Sequence, residues 1–151
     1  MALNTPVLLL MFNRLDTTKQ VVERIREVAP KQLFIVADGA RTGREGEKEK
    51  CELVRQWVLN AVDWSCEVKT LFREHNLGCG KSVSGGITWF FEQVEQGIIL
   101  EDDTLPDVSF FRFASELLEC YKNDEQVMSI SAANLMADKV EACPDSYFFS
   151  N

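Results

Sequence analysis

Glu101-Asp102-Asp103 sets three carboxylates directly behind the apolar run Ile98-Ile99-Leu100. Carboxylates delivered together to the end of a buried strand repel one another and are costly to desolvate. A divalent cation relieves both problems. Hard cations take oxygen ligands and leave positions open for the oxygens of a phosphate. An acidic turn with nothing bound is the plainer reading of the same residues. Other polar residues fall where further apolar runs stop: Asn13-Arg14 behind Val7–Phe12, Asp38-Gly39 behind Leu33–Ala37, and Lys81 behind Gly80. Arg14 and Lys81 can neutralise phosphate charge, helped by the backbone donors of helices that start after Asn13 and after Gly80. Ionised Asp38 is an acceptor only, so it suits the N–H of a base such as uracil. Each has a structural reading beside this one: Arg14 as a solvated cation, Asp38 as a turn-former before Gly39, Lys81 as an exposed helix start.

Other chemistries fit less well. Gly80-Lys81-Ser82 ends like a Walker phosphate loop, but that pattern needs a glycine at position 75, where His75 stands. His75 by itself reads as a hydrogen-bonded loop residue. Five cysteines with no pair two residues apart, and a single histidine, argue against a zinc site and a disulfide framework. Reduced, mostly buried thiols in a cytoplasmic protein are the expectation. A net charge of −8 without a basic cluster disfavours nucleic acid as a partner. No apolar run approaches the roughly 20 residues that cross a bilayer, and Met1–Pro6 lacks the charged start of a secretory signal. The acidic runs Glu45–Lys50 and Asp124-Glu125 read as solvated faces.

The elements that must position these residues alternate. Val7–Phe12 is continuously apolar, as in a strand buried on both faces. Thr17 and Gln20 have capping-box spacing for a helix whose inner face is Val21, Val22, Ile25, Val28 and Ala29, closed by Pro30. Leu33–Ala37 is a second strand. A polar loop from Arg41 to Lys50 leads into a helix with the stripe Leu53, Val54, Trp57, Val58, Ala61 and Val62. Glu67–Phe72 is a weaker third strand. The next helix turns Val83, Ile87, Phe90, Phe91 and Val94 inward, and Gly97 opens the strand that ends on the acids. Asp107 can cap a fourth helix with the face Phe110, Phe111, Ala114, Leu117, Leu118 and Tyr121. Val127–Ser131 reads as a fifth strand and Ser146–Phe149 as the start of another. The length suits one domain with a real core. Strand–helix alternation implies an α/β fold: a three-layer α/β/α sandwich around a mostly parallel sheet. Ligands of such sheets bind at the strands' carboxyl ends, where all the polar residues above gather.

The ordered set Val7–Phe12, Asn13-Arg14, Ala37-Asp38-Gly39, Asn76-Leu77-Gly78 and Ile98–Asp103 resembles the GT-A fold of nucleotide-diphospho-sugar transferases. It is most similar to the N-acetylglucosaminyltransferase I-like and bacterial glycosyltransferase family 2-like groups, in which acids of the DXD type close the fourth strand. Phe110-Phe111 after Pro106, and Ser129–Asn134, share in the likeness, which covers residues 6–135. The resemblance implies a nucleotide-diphosphate sugar as donor, with uridine as its nucleoside. It implies Mn²⁺ or Mg²⁺ on Asp103, and Glu101 and Asp102 facing the donor sugar and ribose. It implies Asp38 on the uracil edge and Arg14 on the diphosphate. Where eukaryotic-type members place a base-binding histidine, this chain has Gly80-Lys81, which suits a phosphate contact. Such enzymes draw their acceptor pocket and catalytic carboxylate from a second half. This chain ends mid-fold by comparison, so residues 1–151 are expected to form a donor domain alone, without a nameable general base. The acceptor, a glycan or other hydroxyl compound, stays open. An apolar face left by a missing half would favour a homodimer. Two rival functions remain: a nucleotide-sugar-binding module without turnover, and a nucleotidyltransferase. The latter needs a glycine-rich loop where this chain has Asn13-Arg14-Leu15-Asp16.

Overall fold

The computed structural model of the chain describes residues 2–132. In order, β1 (Val7–Met11), α1 (Leu15–Val28), β2 (Gln32–Ala37), α2 (Glu47–Ala61), β3 (Glu67–Phe72), α3 (Cys79–Phe91), β4 (Ile98–Glu101) and α4 (Val108–Tyr121) alternate as the apolar runs predict. The four strands form one all-parallel sheet in the order β3-β2-β1-β4. Leu9 sits between Ile35 on one side and Leu100 on the other, so β1 is central, and all five of its residues are buried.

Side chains alternate across a strand, and the two faces build two cores. Val7, Leu9, Met11, Leu33, Ile35, Ala37, Ile98 and Leu100 face α1, α2 and α4, which contribute Val21, Val22, Ile25, Val54, Val58, Phe111 and Ala114. Leu8, Leu10, Phe34 and Val36 face the other way, against Phe90 of α3. Three layers result, with three helices on one face of the sheet and α3 on the opposite face. The Phe34 and Phe90 rings meet edge to face, 4.9 Å between centroids. Gly97 makes room for this packing: a Cβ there would lie 2.3 Å from Phe90 Cζ.

Several local expectations are corrected. No capping box forms at α1. Arg14 is the N-cap residue without a side-chain cap, and Thr17 and Thr18 lie inside the first turn, their hydroxyls donating to the Arg14 carbonyl. Ala29, in the left-handed region at φ 44°, ends this helix before Pro30. Leu53 and Phe91 are 54% and 45% exposed and belong to the outer faces of α2 and α3; Cys51 and Gly86 take the inward places. Val127–Ser131 forms no strand, and Met128 is almost fully exposed. An apolar stretch becomes a strand only when a neighbour completes its ladder. Ser146–Phe149 lies outside the described residues. Asp107 caps α4 as expected, its carboxylate accepting from the Ser109 N–H at 2.9 Å. Among the described residues no helix is long and apolar enough to cross a membrane.

Candidate functional site

The chain steps outward from β1 to β2 and β3, and α3 then returns it to the other edge of β1 for β4. Where strand order reverses in this way, the loops at the carboxyl ends separate and leave a crevice. A cleft of about 340 Å³ lies there. Its floor is Leu10, Met11 and Val36. Its rim carries Arg14 from the start of α1, Asp38 and Arg41 from the loop after β2, Asn76 and Gly78 from the loop before α3, and Glu101 and Asp102 from the end of β4. The size and the mix of an apolar floor with a few polar groups suit a small ligand.

Consider the acids first. Asp102 is 2% exposed. One of its oxygens accepts from the Phe12 N–H at 3.0 Å, tying β4 to the end of β1; the other accepts from Arg14 Nη2 at 2.6 Å. Arg14 Nη1 reaches Asp103 at 2.7 Å. One guanidinium therefore bridges two of the three carboxylates and supplies, from within the chain, neutralisation that the sequence alone assigned to a bound cation. The Glu101 carboxylate has no hydrogen-bond or ion-pair partner among the described residues, and Asp103 keeps one carboxylate oxygen uncommitted on a half-exposed side chain. Among the described residues no group of three or more His, Cys, Asp or Glu side chains is placed to hold a metal ion by itself. The available donors are hard oxygens, which fit Mn²⁺ or Mg²⁺ as a site with few protein ligands and several positions left to the bound molecule.

At the opposite end, Asp38 is buried and its carboxylate is occupied. Oδ1 accepts from the Gly39 and Leu77 N–H groups, both at 3.0 Å; Oδ2 accepts from Leu77 at 3.2 Å and Gly78 at 3.1 Å. The residue expected to read a base edge instead moors the loop before α3 to the end of β2. Arg55 secures the same corner, with Nη2 donating to the Asp38 and Arg73 carbonyls at 3.0 and 2.8 Å.

Gly39 is buried and does not line the cleft. An added Cβ there would lie 2.5 Å from the His75 carbonyl carbon and 2.7 Å from its nitrogen. Those are backbone atoms of the moored loop and cannot swing aside. Gly39→Ala is expected to lose about 1–3 kcal/mol of stability by overpacking, read as a lower urea midpoint. An unchanged midpoint would mean that the chain at 74–75 can stand off from β2.

Asn13 is not part of the cleft wall and donates from Nδ2 to Glu47 at 3.2 Å. Lys81 is exposed on α3 and is not part of the cleft wall; α3 contributes Cys79, Ser82 and Val83 instead. The structure thus brings together Arg14, Asp38, Glu101 and Asp102, with Asp103 joined through Arg14, and leaves Asn13, Gly39 and Lys81 outside.

Arg41 and Asn76 were not anticipated. The carboxylate of buried Glu47 accepts from the Arg41 backbone N–H at 2.7 Å and from its guanidinium through Nε and Nη2. These side-chain and backbone hydrogen bonds from Arg41 hold the Glu47 carboxyl down to about 2, against partial desolvation, so it is charged at every ordinary pH. The Arg41 guanidinium lies 5.6 Å from the Phe12 ring centroid. A lone arginine beyond a strand end, with a glutamate at the following helix start, was the available signal. Nothing in the sequence links the pair to the cleft.

Comparison of the chain with protein-family models, with curated proteins and with solved structures gives no match.

Proposed function

We propose that this cleft binds the nucleoside diphosphate of an activated sugar, and that the chain is the donor-binding part of a metal-dependent glycosyltransferase of GT-A type. The observation that carries the proposal is the convergence, at the reversal point of a parallel sheet, of Arg14 from β1's end with Glu101, Asp102 and Asp103 from β4's end. The cleft's own groups explain why an anion alone fits poorly. Asp38, Glu101 and Asp102 outnumber Arg14 and Arg41 on its rim. A diphosphate entering without a counter-ion would meet net negative charge.

Mn²⁺ or Mg²⁺ bound through Asp103 would supply that positive charge and stabilise a departing diphosphate. Arg14 is positioned to turn from the carboxylates to a phosphate oxygen, a bidentate exchange between like acceptors. Asp102, fixed by the Phe12 N–H, holds the β4 end in place throughout. The Glu101 carboxylate, without a partner, is available to sugar or ribose hydroxyls. The four described cysteines are free thiols, but against the expectation of mostly buried ones only Cys51 is buried, with Cys66 half-buried and Cys79 and Cys120 exposed. For this chain the proposal is donor binding; glycosyl transfer to a hydroxyl acceptor is proposed for the enzyme as a whole.

Titration calorimetry with UDP and Mn²⁺ tests the reading. Micromolar affinity is expected, weakened about tenfold or more by a chelator or by Asp103→Ala, as the loss of one metal-bridged phosphate contact implies. Affinity that is equal with and without chelator rejects the metal. Failure of UDP, UDP-glucose, UDP-N-acetylglucosamine and GDP all to raise the melting temperature at millimolar concentration rejects the nucleotide site, because a ligand specific for the native state must stabilise it.

A further inference from the structure

The cleft has two chemically distinct ends. Over β1 and β4 stand Arg14, Glu101 and Asp102, a charged end suited to phosphate and sugar. Over β2 and the loop before α3 stand Arg41, Asn76 and the moored Asp38. The Asp38 carboxylate already accepts from the Gly39, Leu77 and Gly78 N–H groups, so most of its acceptor capacity is spent inside the chain. Two neighbours remain available.

Arg41 is held from its own side by Glu47, which takes the backbone N–H, Nε and Nη2. Nη1 has no partner among the described residues, and the guanidinium carbon lies over the Phe12 ring, 5.6 Å from its centroid. Its charge is already matched by a carboxylate, so what it offers the cleft is a flat, preorganised surface rather than a bare cation. Guanidinium planes of this kind stack on nucleic bases.

Asn76 donates from Nδ2 to the Gly39 carbonyl at 2.8 Å. That bond fixes which end of the amide is which. Oδ1 has no partner among the described residues and is the acceptor left over.

We infer that Arg41 and Asn76 are the base-recognising pair of this site, and that the base they take is one presenting a ring N–H, as uracil, thymine and guanine do and cytosine and adenine do not. Arg41 covers the ring face and Asn76 Oδ1 accepts the ring N–H. Asp38 is a positioning residue that sets the loop carrying Asn76. The inference rests on the nucleotide reading above and goes beyond it in naming the base class and the two residues that select it.

The test compares UDP, GDP, CDP and ADP, and pyrophosphate as a base-free probe, all with Mn²⁺, on the parent chain, Arg41→Lys and Arg41→Ala. The parent is expected to prefer UDP or GDP over CDP and ADP by about tenfold or more, the scale on which one well-placed base contact discriminates. UDP against GDP decides whether the pocket takes a pyrimidine or a purine. Both Arg41 variants are expected to weaken the preferred nucleotide about tenfold, a typical loss for one base-stacking side chain, while pyrophosphate binding stays within about twofold of the parent. Arg41→Lys separates a plane from a charge, because it keeps the charge.

Equal affinity for all four nucleotides, or Arg41→Ala binding UDP like the parent, overturns the inference and leaves the nucleotide site standing. So does an Arg41 effect equally large on pyrophosphate, which would make Arg41 a phosphate ligand. If pyrophosphate binds the parent and no nucleotide binds more tightly, the inference again fails alone. If neither pyrophosphate nor any nucleotide binds the parent, the site reading fails with it.

Discussion

Asp38→Ala is expected to melt on the order of 10 °C below the parent with no nucleotide present, the shift that about 2–4 kcal/mol produces in a domain of this size. The physical reason is local. Three backbone N–H groups, at Gly39, Leu77 and Gly78, point at one buried carboxylate. Charged acceptors make the stronger class of hydrogen bond, and donors abandoned in a partly closed corner lose it without full repayment by water. The loop released is the one against which Gly39 is packed and from which α3 begins. Arg55, bonded to the Asp38 and Arg73 carbonyls, would retain part of the corner and limit the loss. Asp38→Asn is expected to fall between the two, since an amide oxygen can still accept while its NH₂ opposes another N–H. Differential scanning fluorimetry without ligand measures this directly. A melting temperature within about 2 °C of the parent, which corresponds to under about 1 kcal/mol, combined with lost UDP binding, would return Asp38 to the role of base ligand.

Phe90→Ala is expected to cost about 3–5 kcal/mol, the usual range for emptying an aromatic site in a core. Phe90 is fully buried and is the one large side chain that α3 buries completely; its other buried positions are Ser82 and Gly86. Its ring meets Phe34 edge-on and fills the space that Gly97 leaves open. Nothing nearby can collapse into the vacancy cheaply, because Phe34 is held in the strand ladder and Gly97 has no side chain. Urea unfolding monitored by tryptophan fluorescence, to which Trp57, Trp64 and Trp89 all contribute, reads the midpoint. A loss below about 1 kcal/mol, less than an ordinary truncation of a buried side chain, would show that α3 is held to the sheet by something other than this ring.

The architecture was largely legible because strong periodic segments carry their own signal. β3 was read with the observed limits, and the Asp107 cap was recognisable from its residue type alone. Leu53 and Phe91 mislead because each is the sequence neighbour of a true stripe residue, Leu53 just before Val54 and Phe91 just after Phe90, where helical spacing still half fits. Val127–Ser131 misled for another reason. It has the composition of a strand, and composition does not supply a hydrogen-bonding neighbour. In the site, the carboxylates stood out as a run, while their internal counter-ion did not, since Arg14 is some 88 residues away from Asp102 along the chain. Asp38 stands out by its chemistry, yet its partners Leu77 and Gly78 lie about 40 residues on, and only folding brings them to it. Asn76 stands in the ordered set of strand ends without a role of its own, and Arg41 shows only as the first residue of a polar loop. Their significance comes from the cleft they border.

Among the described residues the sheet is clad unevenly, by α1, α2 and α4 on one side and by α3 alone on the other. Regional opening costs least where few apolar contacts must be broken. Lifting of α3 would uncover that side, and the first turn of this helix is also a wall of the cleft. The grip of one helix on a strand surface would then bear on what the cleft admits, apart from the groups that afterwards hold it.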